Sequence, residues 1–203
     1  MPEYRLIYFD AMGRAELVRW IFAMADIAYT DERVSSEDWP ERKKSIPGGK
    51  LPVLMVDDKV LRQSMAIARY VAREAGLVPQ DNLEAAFCDS LVETVSEILL
   101  HLHKIMRTTE DQQERNTKIE QELIPNYVEP FFTSLDSQIQ DHEWYFGDQV
   151  TWADLMIGRA FCTMVLTNED LFNKFPAVRS YVEKVCALPG IQDWIQNRPQ
   201  TTF

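Results

Sequence analysis

Apolar and polar positions follow two different rhythms along this chain. In the first 75 residues, short apolar runs alternate with helical spacings. Arg5-Leu6-Ile7-Tyr8-Phe9 reads as a strand, and Gly13 precedes a segment whose apolar residues Ala15, Leu17, Val18, Ile21, Phe22 and Ala25 recur at helical intervals. Asp31-Glu32-Arg33-Val34 predicts a second strand, Trp39 to Lys44 a short helix, and Pro52-Val53-Leu54-Met55-Val56 a buried strand. Asp57-Asp58 turns the chain into Lys59-Val60-Leu61, and Ser64 opens a helix, Met65 to Glu74, that carries Ala66, Ile67 and Tyr70. The order βαβ-α-ββα predicts a small mixed sheet flanked by helices, an α/β domain over residues 1–75.

A linker over residues 76–83 carries Gly76 and Pro79, which end helices, and the pattern beyond it is purely helical, an all-α domain over 84–203. Apolar residues at 83, 87, 88, 91, 92, 95, 98, 99, 102, 105 and 106 keep a spacing of three or four, which predicts one long amphipathic helix. A second run, Ile119, Leu123, Ile124, Val128, Phe131, Phe132, Leu135 and Ile139, stays in phase across Pro125 and Pro130 and predicts one kinked helix. In Val150-Thr151-Trp152-Ala153-Asp154-Leu155, Thr151 can cap a helix while Asp154 reaches back to the Thr151 amide, with Val150 packing on Leu155. That reading gives Asp154 a folding role rather than a catalytic one.

Composition narrows the class. The 203 residues are 46% hydrophobic and 26% charged, the balance of a folded globular protein, and no window approaches a membrane span. The charged start MPEYRLIYFD does not suit a signal peptide, so the expected address is cytoplasmic. Cys88, Cys162 and Cys186 are widely spaced and odd in number, which argues for packed thiols rather than a disulfide framework or zinc site. Residues 1–75 carry 12 Lys/Arg and 12 Asp/Glu, so the rest of the chain supplies the whole net charge of −11. So acidic a surface repels phosphate backbones, which argues against nucleic acid, and an anionic ligand is expected at the first half.

No phosphate loop, dinucleotide fingerprint, nucleophile elbow or zinc-protease motif is present, and His101 and His103 point to different faces of their helix, so no metal site is expected. What remains is a constellation in residues 1–75. Tyr8 ends a strand, Gly13-Arg14-Ala15-Glu16 opens a helix, and Trp39, Lys43, Lys50-Leu51-Pro52 and Gln63-Ser64 follow. Taken singly these are ordinary core or surface residues. Together, Pro52 opening a buried strand suits a cis proline beside an extended ligand, and Ser64 at a helix N-terminus offers oriented amides to a carboxylate.

The string Tyr8-Phe9-x-x-x-Gly13-Arg14-Ala15-Glu16, with Asp38-Trp39-Pro40, Pro52-Val53-Leu54, Gln63-Ser64-Met65-Ala66-Ile67-Ala68-Arg69-Tyr70, Thr151-Trp152-Ala153-Asp154 and Trp194-Ile195-x-x-Arg198-Pro199, closely resembles sigma-class glutathione transferases, the family that includes haematopoietic-type prostaglandin D synthase. The motifs fall in order along the whole chain. The resemblance implies a thioredoxin-like N-terminal domain followed by an all-helical C-terminal domain, a homodimer, and glutathione as co-substrate. It also implies that the Tyr8 hydroxyl stabilises the glutathione thiolate, with Arg14 adding positive potential. Trp39, Lys43 and Lys50 match residues that hold the glycine end, Leu51 beside Pro52 matches the one that pairs with the cysteinyl backbone, and Gln63 and Ser64 match those that hold the γ-glutamyl carboxylate. Glu97 from a partner subunit stands where relatives commonly have Asp facing the γ-glutamyl amine. Ser96 replaces one of the paired aspartates of metal-responsive relatives, so a divalent cation at the dimer interface is expected to bind weakly or not at all. The hydrophobic electrophile is expected between the domains, against Phe9, Met12, Leu99, Lys104, Arg107, Met156, Ala160, Thr163 and Phe203.

Three functions share this resemblance. The first is a detoxifying transferase that conjugates glutathione to electrophiles or reduces peroxides. A glutathione-dependent prostaglandin D synthase is the second, against which stand Lys104 and Ala160 where vertebrate-type enzymes carry Trp and Cys. A non-enzymatic crystallin or ligand-binding protein is the third, and the retained tripeptide-binding set argues against it.

Overall fold

The computed structural model describes residues 2–140 and 142–201. The chain forms two compact units, one of residues 1–77 with 187–203 and the other of residues 78–186. In the first, β1 (Tyr4–Phe9), β2 (Thr30–Val34), β3 (Val53–Val56) and β4 (Lys59–Arg62) form a sheet in the order β2-β1-β3-β4. β1 and β2 run parallel across the crossover helix α1 (Glu16–Met24), whereas β3 is antiparallel to both β1 and β4. Side chains alternate between faces along β1. Tyr4 meets Phe22 of α1 at 5.4 Å between ring centroids, and Ile7 on the opposite face joins Val34, Ile46 and Val53 under α2 (Trp39–Ser45). α3 (Ser64–Glu74) buries Ile67, Ala68, Val71 and Ala72. This is the thioredoxin-like arrangement expected for the first domain.

α10 (Pro189–Asn197) packs against α1 in the same unit, although the sequence pattern leaves it with the helical region. Gly190 permits the approach: a Cβ there would sit 2.4 Å from the Ala23 carbonyl oxygen. Trp194 near the end of α10 and Arg198 just after it also reach a buried carboxylate on α1, described below.

The second unit is helical. α4 (Asn82–Thr108) is a single helix of 27 residues, capped by Asp81, whose carboxylate accepts the Leu83 and Glu84 N–H groups. Its buried side, including Cys88, Val92, Val95 and Leu99, packs on α7 (Trp152–Thr167), while Leu83 and Phe87 of the same apolar pattern are exposed. α5 (Gln112–Lys118) runs through a π-helical stretch, Ile119–Val128, into α6 (Glu129–Gln138). The wide turns carry Pro125, and Pro130 falls in the first turn of α6, where a missing N–H costs little, so the continuous but irregular helix matches the kink expected of the sequence. α7 is buried on nearly every face and contacts α8 (Glu169–Lys174) and α9 (Pro176–Cys186) as well. Asp154 is fully buried and accepts the Thr151 N–H at 2.6 Å and the Thr151 hydroxyl at 2.8 Å. Its other oxygen accepts from the Tyr145 N–H and the Tyr181 hydroxyl, so the capping residue also ties the loop before α7 to α9.

Candidate active site

The end of β1 places Tyr8 beside the start of α1. The chain turns through Asp10 to Met12, makes a 3-10 turn over Gly13–Ala15, and enters α1 at Glu16. In that turn the Arg14 N–H donates to Tyr8 Oη at 3.1 Å. Gly13 has φ +41°, and a Cβ there would lie 2.5 Å from the Tyr8 hydroxyl, so only glycine allows this approach. A phenol that accepts an N–H through a lone pair keeps its own proton to donate. Tyr8 is 9% exposed, and its ring begins an aromatic row: Phe9 stands edge-on to it at 5.6 Å, and Trp39 edge-on to Phe9 at 5.1 Å.

Beneath the turn lies a buried ion network that the sequence reading missed. Glu16, 2% exposed, accepts from Trp20 Nε1 at 3.2 Å, Trp194 Nε1 at 2.9 Å, Arg198 Nη1 at 2.6 Å and Arg19 Nη1 at 3.3 Å. Burial alone would raise its pKa. The hydrogen bonds from Trp194 and Arg198, with the charges of Arg198 and Arg19, outweigh that and hold the carboxyl below its ordinary value. Arg19 is fully buried, and its guanidinium carbon lies 5.9 Å from the Tyr8 ring centroid. Arg14, expected to supply positive potential, is exposed, and its backbone N–H is what bonds Tyr8. The signal for Arg19 was its place inside the apolar run Leu17 to Phe22.

Three strands bring the rest of the first-unit set together. Ile7 pairs with Val53 and Val53 with Arg62, so one step further Tyr8, Pro52 and Gln63 lie side by side at one end of the sheet. The Leu51-Pro52 bond is cis, as expected. Gln63 has φ +76° and ψ 116°, a backbone conformation that a non-glycine residue adopts at a cost, and it leads directly into α3, where Ser64 is half-buried. Trp39 and Leu51 pack on the same apolar cluster under α2. Arg42 is held by Glu32 at 2.6 Å and Lys44 by Glu41 at 2.6 Å, whereas exposed Lys43 and Lys50 make no ion pair among the described residues.

The remaining candidates are dispersed. Phe9 and Met12 are half-buried in the first unit; Ala160 is half-buried, and Lys104, Arg107 and Thr163 are exposed, in the second. Met156, 1% exposed, is a correction: it is closed inside the helical core, where it fills space between helices, and Leu99 at 9% is nearly so. Phe203 lies outside the described residues. Glu97 is exposed on α4 and lines a groove of about 870 Å³ with Phe87, Leu91, Thr94, Pro130 and Phe131. One and two helical turns before it, at i−4 and i−8, Glu93 is exposed and Asp89 half-buried.

Comparison with known proteins places this arrangement. Residues 4–73 match the glutathione S-transferase N-terminal domain and residues 100–198 the glutathione S-transferase C-terminal domain. The chain is 39% identical to the haematopoietic prostaglandin D synthase of Gallus gallus over 203 residues, the full length of both. The chain belongs to the glutathione transferase family. It is also 33% identical to glutathione S-transferase 1 of Ascaris suum over 211 aligned residues, again covering all of both chains. Among solved structures, the monomeric glutathione S-transferase Na-GST-3 of the hookworm Necator americanus superimposes with a TM-score of 0.90 at 32% identity, over 99% of this chain and 100% of that one. This glutathione transferase is therefore an enzyme with glutathione as co-substrate, and its fold is the family's thioredoxin-like domain with a helical second domain. A free thiol has a pKa of about 8.5 and is only a few per cent thiolate at neutral pH, so such an enzyme must stabilise the anion. Tyr8, with a proton to give and a second donor on its oxygen, has the chemistry for that.

Proposed function

We propose that Tyr8 is the residue that holds the glutathione sulfur as thiolate. The observation that carries the reading is the Arg14 N–H on Tyr8 Oη, which polarises the phenol and leaves its proton free for the sulfur. Lowering a thiol pKa by two units takes about 2.7 kcal/mol, within the range of one charge-assisted hydrogen bond supported by a nearby cation. The tripeptide then runs along the end of the sheet. Trp39, Lys43 and Lys50 take the glycine carboxylate, the Leu51 backbone beside Pro52 pairs with the cysteinyl unit, and Gln63 and Ser64 take the γ-glutamyl carboxylate at the start of α3. Lys43 and Lys50, exposed and without an ion pair among the described residues, support the first assignment. Tyr8→Phe tests the reading: turnover falls with little change in glutathione affinity, and an unshifted pKa of the bound thiol removes Tyr8 from the mechanism.

The protein is further read as a cytoplasmic, sigma-class homodimer in which Glu97 of one subunit faces the γ-glutamyl amine in the other. Phe87 at 56% exposure, which lines the same groove as Glu97, and Leu83 at 61%, one turn earlier on α4, are the apolar surface such a partner would cover. Because the structurally similar Na-GST-3 is described as monomeric, sedimentation is the direct test. Two transfer reactions remain in view. Conjugation to hydrophobic electrophiles is the general one. The 39% identity to an avian prostaglandin D synthase, with Lys104 and Arg107 exposed on one helix to meet a fatty-acid carboxylate, supports isomerisation of a prostaglandin endoperoxide as the second. Product analysis with a haloarene, a hydroperoxide, an unsaturated aldehyde and prostaglandin H2 separates them.

A further inference from the structure

We propose that Arg19 is a positioning residue for thiol activation, acting through the turn that presents the Arg14 N–H to Tyr8; this rests on the reading of Tyr8 as the thiolate's donor. A fully buried guanidinium is unfavourable unless it is paired, and the pairing here has a direction. Nη1 donates to the carbonyls of Ala11 at 2.8 Å and Met12 at 3.4 Å, the two residues just before Gly13 and Arg14. Nε is held by Asp31 at 3.1 Å, while Nη2 has no hydrogen-bond partner among the described residues. Nη1 also pairs with Glu16 Oε2 at 3.3 Å, so the side chain is anchored in the core while its shortest hydrogen bond reaches the turn.

Fixing those two carbonyls fixes the path through Gly13, and that path sets where the Arg14 N–H meets the phenol oxygen. Asp31 is itself anchored: its second oxygen accepts from Arg33 at 2.8 Å, and Arg33 pairs with Asp10 at 3.1 Å. Both flanks of the turn, Asp10 and Met12, are therefore tied into one chain of charges centred on Asp31 and Arg19. The same guanidinium stands 5.9 Å from the Tyr8 ring centroid, where a positive charge makes the hydroxyl a better donor. None of these atoms is assigned to the tripeptide. Loss of Arg19 should therefore weaken the thiolate and spare glutathione binding.

The test reads the bound thiolate by its ultraviolet absorbance across pH, beside steady-state kinetics, in the full-length wild type, Arg19→Met, Arg19→Lys and Tyr8→Phe. In Arg19→Met the thiol pKa rises by about one unit, giving roughly fivefold less thiolate and turnover near pH 6.5, a gap that closes toward pH 9. The KM for glutathione changes by less than about twofold. Arg19→Lys, which keeps the charge but not the fork, falls between. A merely structural residue would lower turnover by one factor at every pH and leave the thiol pKa where it was, and that result overturns the proposal. If Arg19→Met does not fold by circular dichroism, the lysine variant decides on the same criterion. A shifted pKa in Tyr8→Phe without a shift in the folded Arg19 variants overturns the role of Arg19 and leaves Tyr8 standing. No shift in Tyr8→Phe overturns both.

Discussion

Replacing Asp154 should unfold this protein before it disturbs any chemistry. The carboxylate is fully buried and takes four hydrogen bonds: from the Thr151 N–H, the Thr151 hydroxyl, the Tyr145 N–H and the Tyr181 hydroxyl. In Asp154→Ala the Tyr145 N–H keeps a second acceptor, the Tyr181 oxygen at 3.2 Å, and the Thr151 hydroxyl can still turn to the Cys88 sulfur, while the Thr151 amide and the Tyr181 proton are left without an acceptor among the described residues. Each unsatisfied buried donor costs about 1–3 kcal/mol, and the loss of a helix cap about 1 kcal/mol, with non-additivity trimming the sum. A net loss of about 4 kcal/mol is expected, which for a chain of this size lowers Tm by roughly 8–16 °C. Asp154→Asn keeps one acceptor oxygen and turns the other into a donor facing donors, so it should lose about half as much. Thermal and urea unfolding by circular dichroism measure this, with turnover assayed well below Tm. A shift under about 3 °C for the alanine variant would refute the packing argument, and so would lost turnover in a variant of wild-type stability.

Four further outcomes follow from the same geometry. Gln63→Ala or Ser64→Ala should weaken glutathione binding about tenfold by calorimetry while turnover at saturation changes little, and unaltered affinity in both would refute their assignment to the γ-glutamyl carboxylate. Gly13→Ala should cut turnover strongly because its methyl group meets the Tyr8 hydroxyl at 2.5 Å, and turnover at the wild-type level would show the turn is softer than its backbone implies. Glu16 has a depressed pKa, so its stabilisation is present above the ordinary carboxylate value and disappears as pH falls through the folded one; Glu16→Gln should lose about 3 kcal/mol at neutral pH and flatten the acid limb of the stability profile. Burial pushes the Cys88 thiol up to about 11, against hydrogen bonds from Thr151 and Ala153 that pull it down, so the folded state favours the neutral thiol. Its contribution is intact below the unfolded pKa and lost as pH climbs through the folded one, which should appear as a decline in urea stability between about pH 9 and 11 that Cys88→Ala removes.

The fold was legible wherever burial repeats at a local period. The apolar run of β1, the helical spacing after Gly13 and the long stripe of α4 each pack against neighbours along the sequence of the element itself, and such burial writes its pattern into the chain. Turn chemistry was equally plain: the cis bond before Pro52 and the carboxylate of Asp154 reaching back to Thr151 are determined within a few residues. The π-helical stretch was visible only as a phase that survives two prolines, since wide turns and a simple kink leave nearly the same pattern. The docking of α10 was invisible. Glu16 meets Trp194 and Arg198 across separations of 178 and 182 residues, and no local period reports a partner that distant.

The site shows why identity and atom are different questions. Tyr8 could be named only through the resemblance of Tyr8-Phe9-x-x-x-Gly13-Arg14-Ala15-Glu16 to the family's motif, since a tyrosine that ends a strand is ordinarily a core residue. Arg14 could be named in the same way, for its charge, whereas the contact seen in the structure is made by its amide, because the 3-10 turn points the N–H at the phenol oxygen. The charge that does lie near the phenol comes from Arg19, three residues after a glutamate on one helix, a spacing that ordinarily marks an exposed ion pair. What separates the two cases is burial of the whole run from Glu16 to Phe22: α1 is enclosed on the side that should face water, so a pair that would contribute a few tenths of a kcal/mol on a surface becomes a fixed element of the core. In a helix whose polar positions are too few to form a solvent face, a charged residue is better read as a buried anchor, and its partners should be sought in the turn that precedes the helix.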